Sequence, residues 1–214
     1  DEVGVENSDF EFRLPVPDGV PFTQLGADEP TNSFENSEYG TRVSYLTDGW
    51  DIGAFYLYTW DKFPIYFRSF DAASSSLIIQ PDFRRQHVGG LTFSKEIDPV
   101  VLKGEMVVNP EASFSTTDQN DEDGVVRKTY VDYILGMDIK LFDAVDTNFQ
   151  FMQRDIFDHE DSLINNEDAV RNYFSFWAKE TFMNESLEAE FLILSSLMRV
   201  DILARPSLRY KFAD

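Results

Sequence analysis

The sequence predicts an all-β protein, an antiparallel up-and-down meander that closes wholly or in part into a transmembrane β-barrel. Three observations carry that expectation. The first is periodicity: over residues 131–141, Val131, Tyr133, Leu135, Met137, Ile139 and Leu141 alternate with Asp132, Gly136, Asp138 and Lys140, so a strand there is apolar on one face and charged on the other. Such a strand is longer than the usual strand of a soluble sheet and matches one that crosses a bilayer. The second is the spacing of the turns, which alternates between short and long. The third is composition: 20 Phe and 9 Tyr occur in a chain of formal charge -21, which suits a sheet with one greasy and one wet face.

Taken in order, residues 1–37 read as an irregular lead-in or loop, since Pro, Asp, Glu, Asn and Gly crowd it without a sustained period of 2 or 3.6. Residues 38–214 read as the barrel meander of about nine strands, at roughly 38–47, 50–60, 86–96, 100–109, 128–141, 147–157, 170–182, 186–197 and 201–212. In the fourth, Val100, Leu102, Met106 and Val108 oppose Lys103, Glu105 and Asn109. In the eighth, Leu187, Ala189, Phe191 and Ile193 oppose Glu188 and Glu190, and the last sets Leu208, Tyr210 and Phe212 against Ser207, Arg209 and Lys211. Strands 50–60, 147–157 and 170–182 carry apolar groups on both faces, which leaves their orientation open. Residues 186–199 also suit a helix on propensity alone.

The connections Thr47-Asp48-Gly49, Ile97-Asp98-Pro99, 142–146 and Met183-Asn184-Glu185 are tight turns, whereas 61–85, 110–127 and 158–169 are long. A meander with tight turns on one rim and extended loops on the other produces that alternation. One domain accounts for the 214 residues. Lys and Arg number 18 against 39 Asp and Glu, an imbalance that opposes nucleic acid as a partner. There is no cysteine, hence no disulfide, thiolate metal site or cysteine nucleophile. No apolar run is long enough for a membrane helix, and an outer-membrane address requires that a leader has been removed.

Membrane-barrel geometry makes Arg42, Lys103, Glu105, Asp132, Asp138, Lys140, Arg154, Glu188, Glu190 and Arg209 the lumen-lining candidates, able to set a pore field or to pair into structural networks. Tyr39, Trp50, Trp60, Tyr130 and Trp177 are the membrane-interface aromatic candidates. Trp50 and Trp60 sit at the two ends of one strand, which at about 3.3 Å per residue and a tilt near 40° spans roughly 25 Å of height. The stretch Asp118, Asn120, Asp121, Glu122, Asp123 offers hard oxygen ligands, a weak candidate for loop-bound calcium (Ca) that could bridge to lipopolysaccharide phosphates. It misses EF-hand register, with Gly124 at position 7 and Thr129 at position 12; Asp158, Glu160 and Asp161 form a second acidic cluster. No other cofactor is expected, and no enzyme activity: His87 with Ser94 is the faintest nucleophile–base pair, at opposite strand parities.

The runs NSEYGTRVSYLTDGWDIGAFYLYTWDKFPIYF (36–67), HVGGLTFSKEIDPVVLKGEMVVNP (87–110), YVDYILGMDI (130–139) and ARPSLRYKF (204–212) resemble a family of Gram-negative outer-membrane β-barrels that is still catalogued as a domain of unknown function. Its members are associated with exporters of the resistance-nodulation-division (RND) type. The resemblance implies a porin-like barrel in the outer membrane of a Gram-negative bacterium, a channel or export component for hydrophobic or amphipathic compounds or lipids. It implies outer-membrane lipid, lipopolysaccharide and an RND-type exporter as partners. Family members are longer, so the chain is expected to be a portion, consistent with an odd strand count. Two other readings compete: a soluble periplasmic lipocalin-like barrel binding a hydrophobic ligand, and a scaffold barrel for a surface or electron-transfer complex.

Overall fold

The computed structural model describes residues 14–17, 19–164, 168–198 and 201–212; the expectation of an irregular segment over 1–13 lies outside them. Its strands are β1 (Phe22–Gln24), β2 (Tyr39–Thr47), β3 (Trp50–Trp60), β4 (Ile65–Asp71), β5 (Ser76–Asp82), β6 (Arg85–Ile97), β7 (Val100–Ser115), β8 (Val125–Leu141), β9 (Val145–Ile156), β10 (Val170–Phe182), β11 (Leu187–Ser196) and β12 (Ile202–Tyr210). A single 3-10 turn, Phe34–Asn36, is the one helical element among the described residues. Nine strands form one sheet in the order β12-β11-β10-β9-β8-β7-β6-β3-β2, and β1-β5-β4 form a second. Every neighbour in the large sheet is antiparallel. The sheet is not closed: β2 and β12 are its two edges, and they run in the same direction because an even number of reversals separates them.

The turn chemistry explains the tight rim. Asp48 and Gly49 have φ of 46° and 75°, the left-handed pair that a two-residue hairpin requires. At two of the three other tight connections non-glycine residues adopt that region instead, Phe142 and Asp143 in one and Met183, Asn184 and Glu185 in the other.

Four features differ from the sequence expectation. Residues 186–199 form β11 and no helix: cross-strand pairing with β10 and β12 overrides the propensity of Leu, Glu and Ala. Strand β7 passes Pro110 and ends at Ser115, because the register shifts between Asn109 and Ala112. Pro110 and Glu111 thus form a bulge, where a missing N–H costs no ladder bond. The connection after β3 contains the β4–β5 hairpin, paired from Ile65↔Asp82 to Asp71↔Ser76. The lead-in supplies β1, parallel to β5 through Phe22↔Leu77.

Burial shows where the packing lies. The hydrophobic core among the described residues is small: Ile79, Ala112, Phe114, Ile156 and Leu163. The last four cluster with Val126 and Tyr130 beneath the long-loop rim. The bulge shifts the facing of β7, turning Ala112 and Phe114 into this cluster. By contrast Leu91 is 51%, Leu135 54% and Leu208 72% exposed, so the sheet presents an uncovered apolar face. A soluble barrel would seal that face in a core, as sheet packing demands.

Candidate functional site

Residues directly paired across an antiparallel ladder point to the same face, so the registers assign each side chain to a face. Asp132 pairs with Val107 and Arg154, and Arg154 with Arg171; Val107 pairs with Gly90, Gly90 with Phe55 and Phe55 with Arg42. Following the ladders in this way places Arg42, Lys103, Glu105, Asp132, Asp138, Lys140, Arg154, Glu188, Glu190 and Arg209 on one face. The opposite face carries Val43, Ile52, Leu91, Met106, Leu135, Phe151, Phe176, Ile193 and Leu208. The candidates split five acidic and five basic. Short of the β7 bulge, six further charges share their face: Asp51, Glu96 and Asp146, with Arg171, Lys179 and Arg205. The face is therefore balanced, and the formal charge of -21 resides in the rims, turns and lead-in.

Most of these charges are paired. Arg154 donates to both oxygens of Asp132, at 2.7 and 2.8 Å, the bidentate fork that fixes a guanidinium most firmly. Asp138 accepts from Asn148 at 2.5 Å and from the Lys103 ammonium. Lys140 reaches Asp146 at 2.9 Å, and Glu188 joins Lys179 at 2.8 Å to Arg209 at 3.2 Å. Between the pairs lie apolar side chains on the same face, among them Phe55, Leu57, Ile134, Met152 and Leu192. A cavity of about 330 Å³ opens where Arg42, Asp51, Thr92, Lys103, Glu105 and Gln150 surround Gly136.

The aromatic candidates divide. Tyr39, Trp50 and Trp60 lie on the apolar face, Trp50 at the tight-turn end and Trp60 at the long-loop end. Tyr130 and Trp177 do not; both are corrected to the charged face. Tyr130 shares the parity of Asp132 and lies under the Arg154 guanidinium at 4.2 Å, while Trp177 pairs with Asn148 and Leu192. The sequence around Trp177 has aromatics on both faces, so parity alone did not orient it.

Above the charged face the long loops assemble into a cap. Arg68 on β4 is 8% exposed and donates to the carbonyls of Thr116 at 3.1 Å, Asp121 at 2.8 Å and Asp118, while its own amide reaches the Asp123 carbonyl at 2.7 Å. The loop 116–124 is pinned in turn to 157–164 by Thr117 N–H to Ser162 O at 2.9 Å and Ile164 N–H to Ser115 O at 3.1 Å. Lys128 bonds Glu160. The acidic stretch is thus organised around a guanidinium. Asp121 and Asp118 spend side-chain oxygens on the N–H groups of Gly124 and Asn120, at 2.6 and 2.9 Å. No three His, Cys, Asp or Glu among the described residues gather as a metal-holding group. Below the cap, Asn109, with no exposure, donates to Gln86 at 2.6 Å. Burial pushes the neighbouring Asp61 carboxyl above its usual range, against Gln86 and Lys62.

At the outer margin of the same rim, Glu38 accepts from Lys62 at 2.6 Å, from the Trp60 amide at 2.8 Å and from the Thr59 hydroxyl. The Lys62 bond first, then those of Thr59 and Trp60, hold its carboxyl down to about 2. A depressed carboxylate stabilises the folded rim above its unfolded pKa, about 4.3, and loses that stabilisation as pH falls through the folded value. Trp60 fluorescence is therefore expected to change between about pH 4.3 and about pH 2, and Glu38→Gln is expected to abolish that step. A step unchanged by the substitution assigns it elsewhere.

His87 and Ser94 stand on opposite faces, as their parity predicts, and His87 Nδ1 is 2.7 Å from the Tyr56 hydroxyl.

A charge-paired face, a bare apolar face with aromatics at both ends, tight turns on one rim and a looped cap on the other define a β-barrel-type antiparallel sheet. Its structural likeness is to a porin refined at 1.8 Å resolution, at a TM-score of 0.55 and 12% identity, covering 82% of this chain and 51% of the porin chain. The chain thus spans about half the length of that porin, and the likeness is one of fold. No protein-family model and no curated protein matches the sequence.

Proposed function

We propose that this chain forms part of the wall of an outer-membrane channel in a Gram-negative bacterium, with its apolar face against lipid and its charged face lining the lumen. One observation carries the reading. Large apolar side chains such as Leu91 and Leu135 are more than half exposed on one face, while the ion pairs sit on the other. In water that apolar surface is an aggregation hazard, but in a bilayer it is the required exterior. The fold shared with a porin supports the same reading.

The cargo proposed is amphipathic. The charged face alternates neutralised ion pairs with Phe55, Ile134, Met152 and Leu192, so it offers both polar and apolar footholds and no net charge to select ions of one sign. An RND-type exporter as the supplier of such cargo belongs to the same proposal and rests on the family resemblance. The test is reconstitution of the full chain into planar bilayers, where discrete conductance steps are expected. Protein that is folded and monodisperse without detergent, binds a fluorescent fatty acid and gives no steps would replace the channel with a soluble carrier.

A further inference from the structure

The apolar face carries cations at two heights. Lys95 lies at the tight-turn end, 5.3 Å from the Trp50 ring. At the long-loop end Arg85 and His87, neighbours on the same face of β6, both stack on Tyr58: the guanidinium 4.7 Å from its centroid and the imidazole 4.9 Å. Arg85 also covers Trp60 at 4.2 Å, and Tyr39 closes the shelf at 5.0 Å from Tyr58. The guanidinium donates to Ser37 O at 2.9 Å and Glu35 O at 3.0 Å. These carbonyls hold it in place and bring no negative charge, and three of its five N–H donors are left over. The carboxylate at the edge of this shelf, Glu38, is neutralised by Lys62. His87 is exposed, and its Nδ1 engages Tyr56 at 2.7 Å, which leaves Nε2 for a ligand.

Asp28, Glu29, Asp82 and Glu111 line a cavity with Arg85, but Asp82 and Glu111 pair with Arg84 and Arg127 instead. A cation that makes no ion pair among the described residues, fixed between aromatic rings at the edge of an apolar face, fits one environment. It is the headgroup layer of a bilayer, where an anionic oxygen completes the donor set. We propose that Arg85 and His87 bind the phosphate of an anionic membrane lipid whose acyl chains run along the apolar face below. There Gly89 leaves open space, the nearest atom to an added Cβ being the Phe55 carbonyl at 3.9 Å, and Ala54 adds little bulk. This inference rests on the membrane reading, and its test separates the two.

Two single-tryptophan proteins are prepared, Trp50→Phe with Trp177→Phe to report Trp60, and Trp60→Phe with Trp177→Phe to report Trp50. Each is reconstituted in vesicles containing acyl-brominated phosphatidic acid or brominated phosphatidylcholine at equal mole fraction. Trp60 is expected to be quenched by the phosphatidic acid with about fivefold higher apparent affinity, the enrichment one basic residue brings at an anionic surface. Trp50, with Lys95 alone beside it, is expected to show the smaller preference of the two. Adding Arg85→Gln and His87→Gln to the Trp60 reporter is expected to remove the preference. Equal quenching of Trp60 by both lipids overturns the phosphate site while leaving the membrane reading standing. Quenching of neither tryptophan overturns both. Loss of the preference in excess inorganic phosphate would assign the site to free anions and overturn the lipid assignment. The comparison of the two lipids needs no charge variant, so it stands even where the double substitution impairs folding.

Discussion

Leu135→Arg is expected to cost about 2–4 kcal/mol of unfolding free energy in a bilayer, and Ile134→Arg, one residue away, less than about 1 kcal/mol. The two positions differ only in the face they occupy. Leu135 is 54% exposed and lies between Gly104 and Phe151, near mid-height of the longest strand, where under the proposed membrane reading a guanidinium has only hydrocarbon beside it. Ile134 lies between Glu105 and Met152, on the charged face, where a guanidinium meets a carboxylate and water. Reversible denaturant unfolding from vesicles measures both. The opposite order, with Ile134→Arg the costlier change, would place the apolar face in a sealed interior and remove the ground for a channel.

What the sequence made legible is what depends on a period of 2. Alternation is local, needing only a few neighbours to declare a face, and all ten charged candidates fall together because Asp132, Asp138 and their partners each lie an even number of steps from one another along or across strands. The turns were equally readable, since Asp48-Gly49 and Met183-Asn184-Glu185 carry their geometry in their own residues. Parity fails where it is silent or broken. Around Trp177 both faces hold aromatics, and only the pairing with Asn148 and Leu192 decides the orientation. At Pro110 the bulge reverses the facing of the residues on its C-terminal side, so Phe114 enters the rim core.

The cap was not legible for a different reason. Arg68 bonds carbonyls about fifty residues away, at Thr116, Asp118 and Asp121, and a carbonyl acceptor leaves no mark in a sequence because every residue has one. The acidic stretch 118–123 offers carboxylates to a cation, whereas the Arg68 guanidinium engages the carbonyls of that stretch. The short parallel strand Phe22–Gln24 was hidden similarly. Its partner β5 lies about fifty residues on, and three residues are too few to show a period. Net charge misled in a milder way: -21 describes the rims and lead-in, while the face between them is neutral.

The second large effect is expected at that cap. Arg68→Ala should raise the population of a loosened loop 116–124 by several orders of magnitude, because three carbonyls lose charged donors. Each such orphaned group costs about 1–3 kcal/mol before water reaches it. Hydrogen exchange reads the change at two amides, Arg68 N–H to Asp123 O at 2.7 Å and Thr116 N–H to Gly124 O at 2.9 Å. Both are expected to lose protection while amides of β8 and β9 keep theirs. Arg68→Lys should fall between, since a lysine keeps the charge but loses the planar fork that spans three acceptors. Gly124→Ala approaches the same contact from the other side. Gly124 has φ of 72°, and an added Cβ would come within 2.9 Å of Arg68 Cγ, so backbone strain and overlap act together at about 1–3 kcal/mol. If the loop belongs to a channel mouth, both variants should also increase current noise in the open state without changing the mean conductance, since the ion pairs of the charged face lie further down the strands, where the ladders hold them. Unchanged exchange at Thr116 in both variants would show that the loop is ordered by its own aspartate turns, with Arg68 a guest among them.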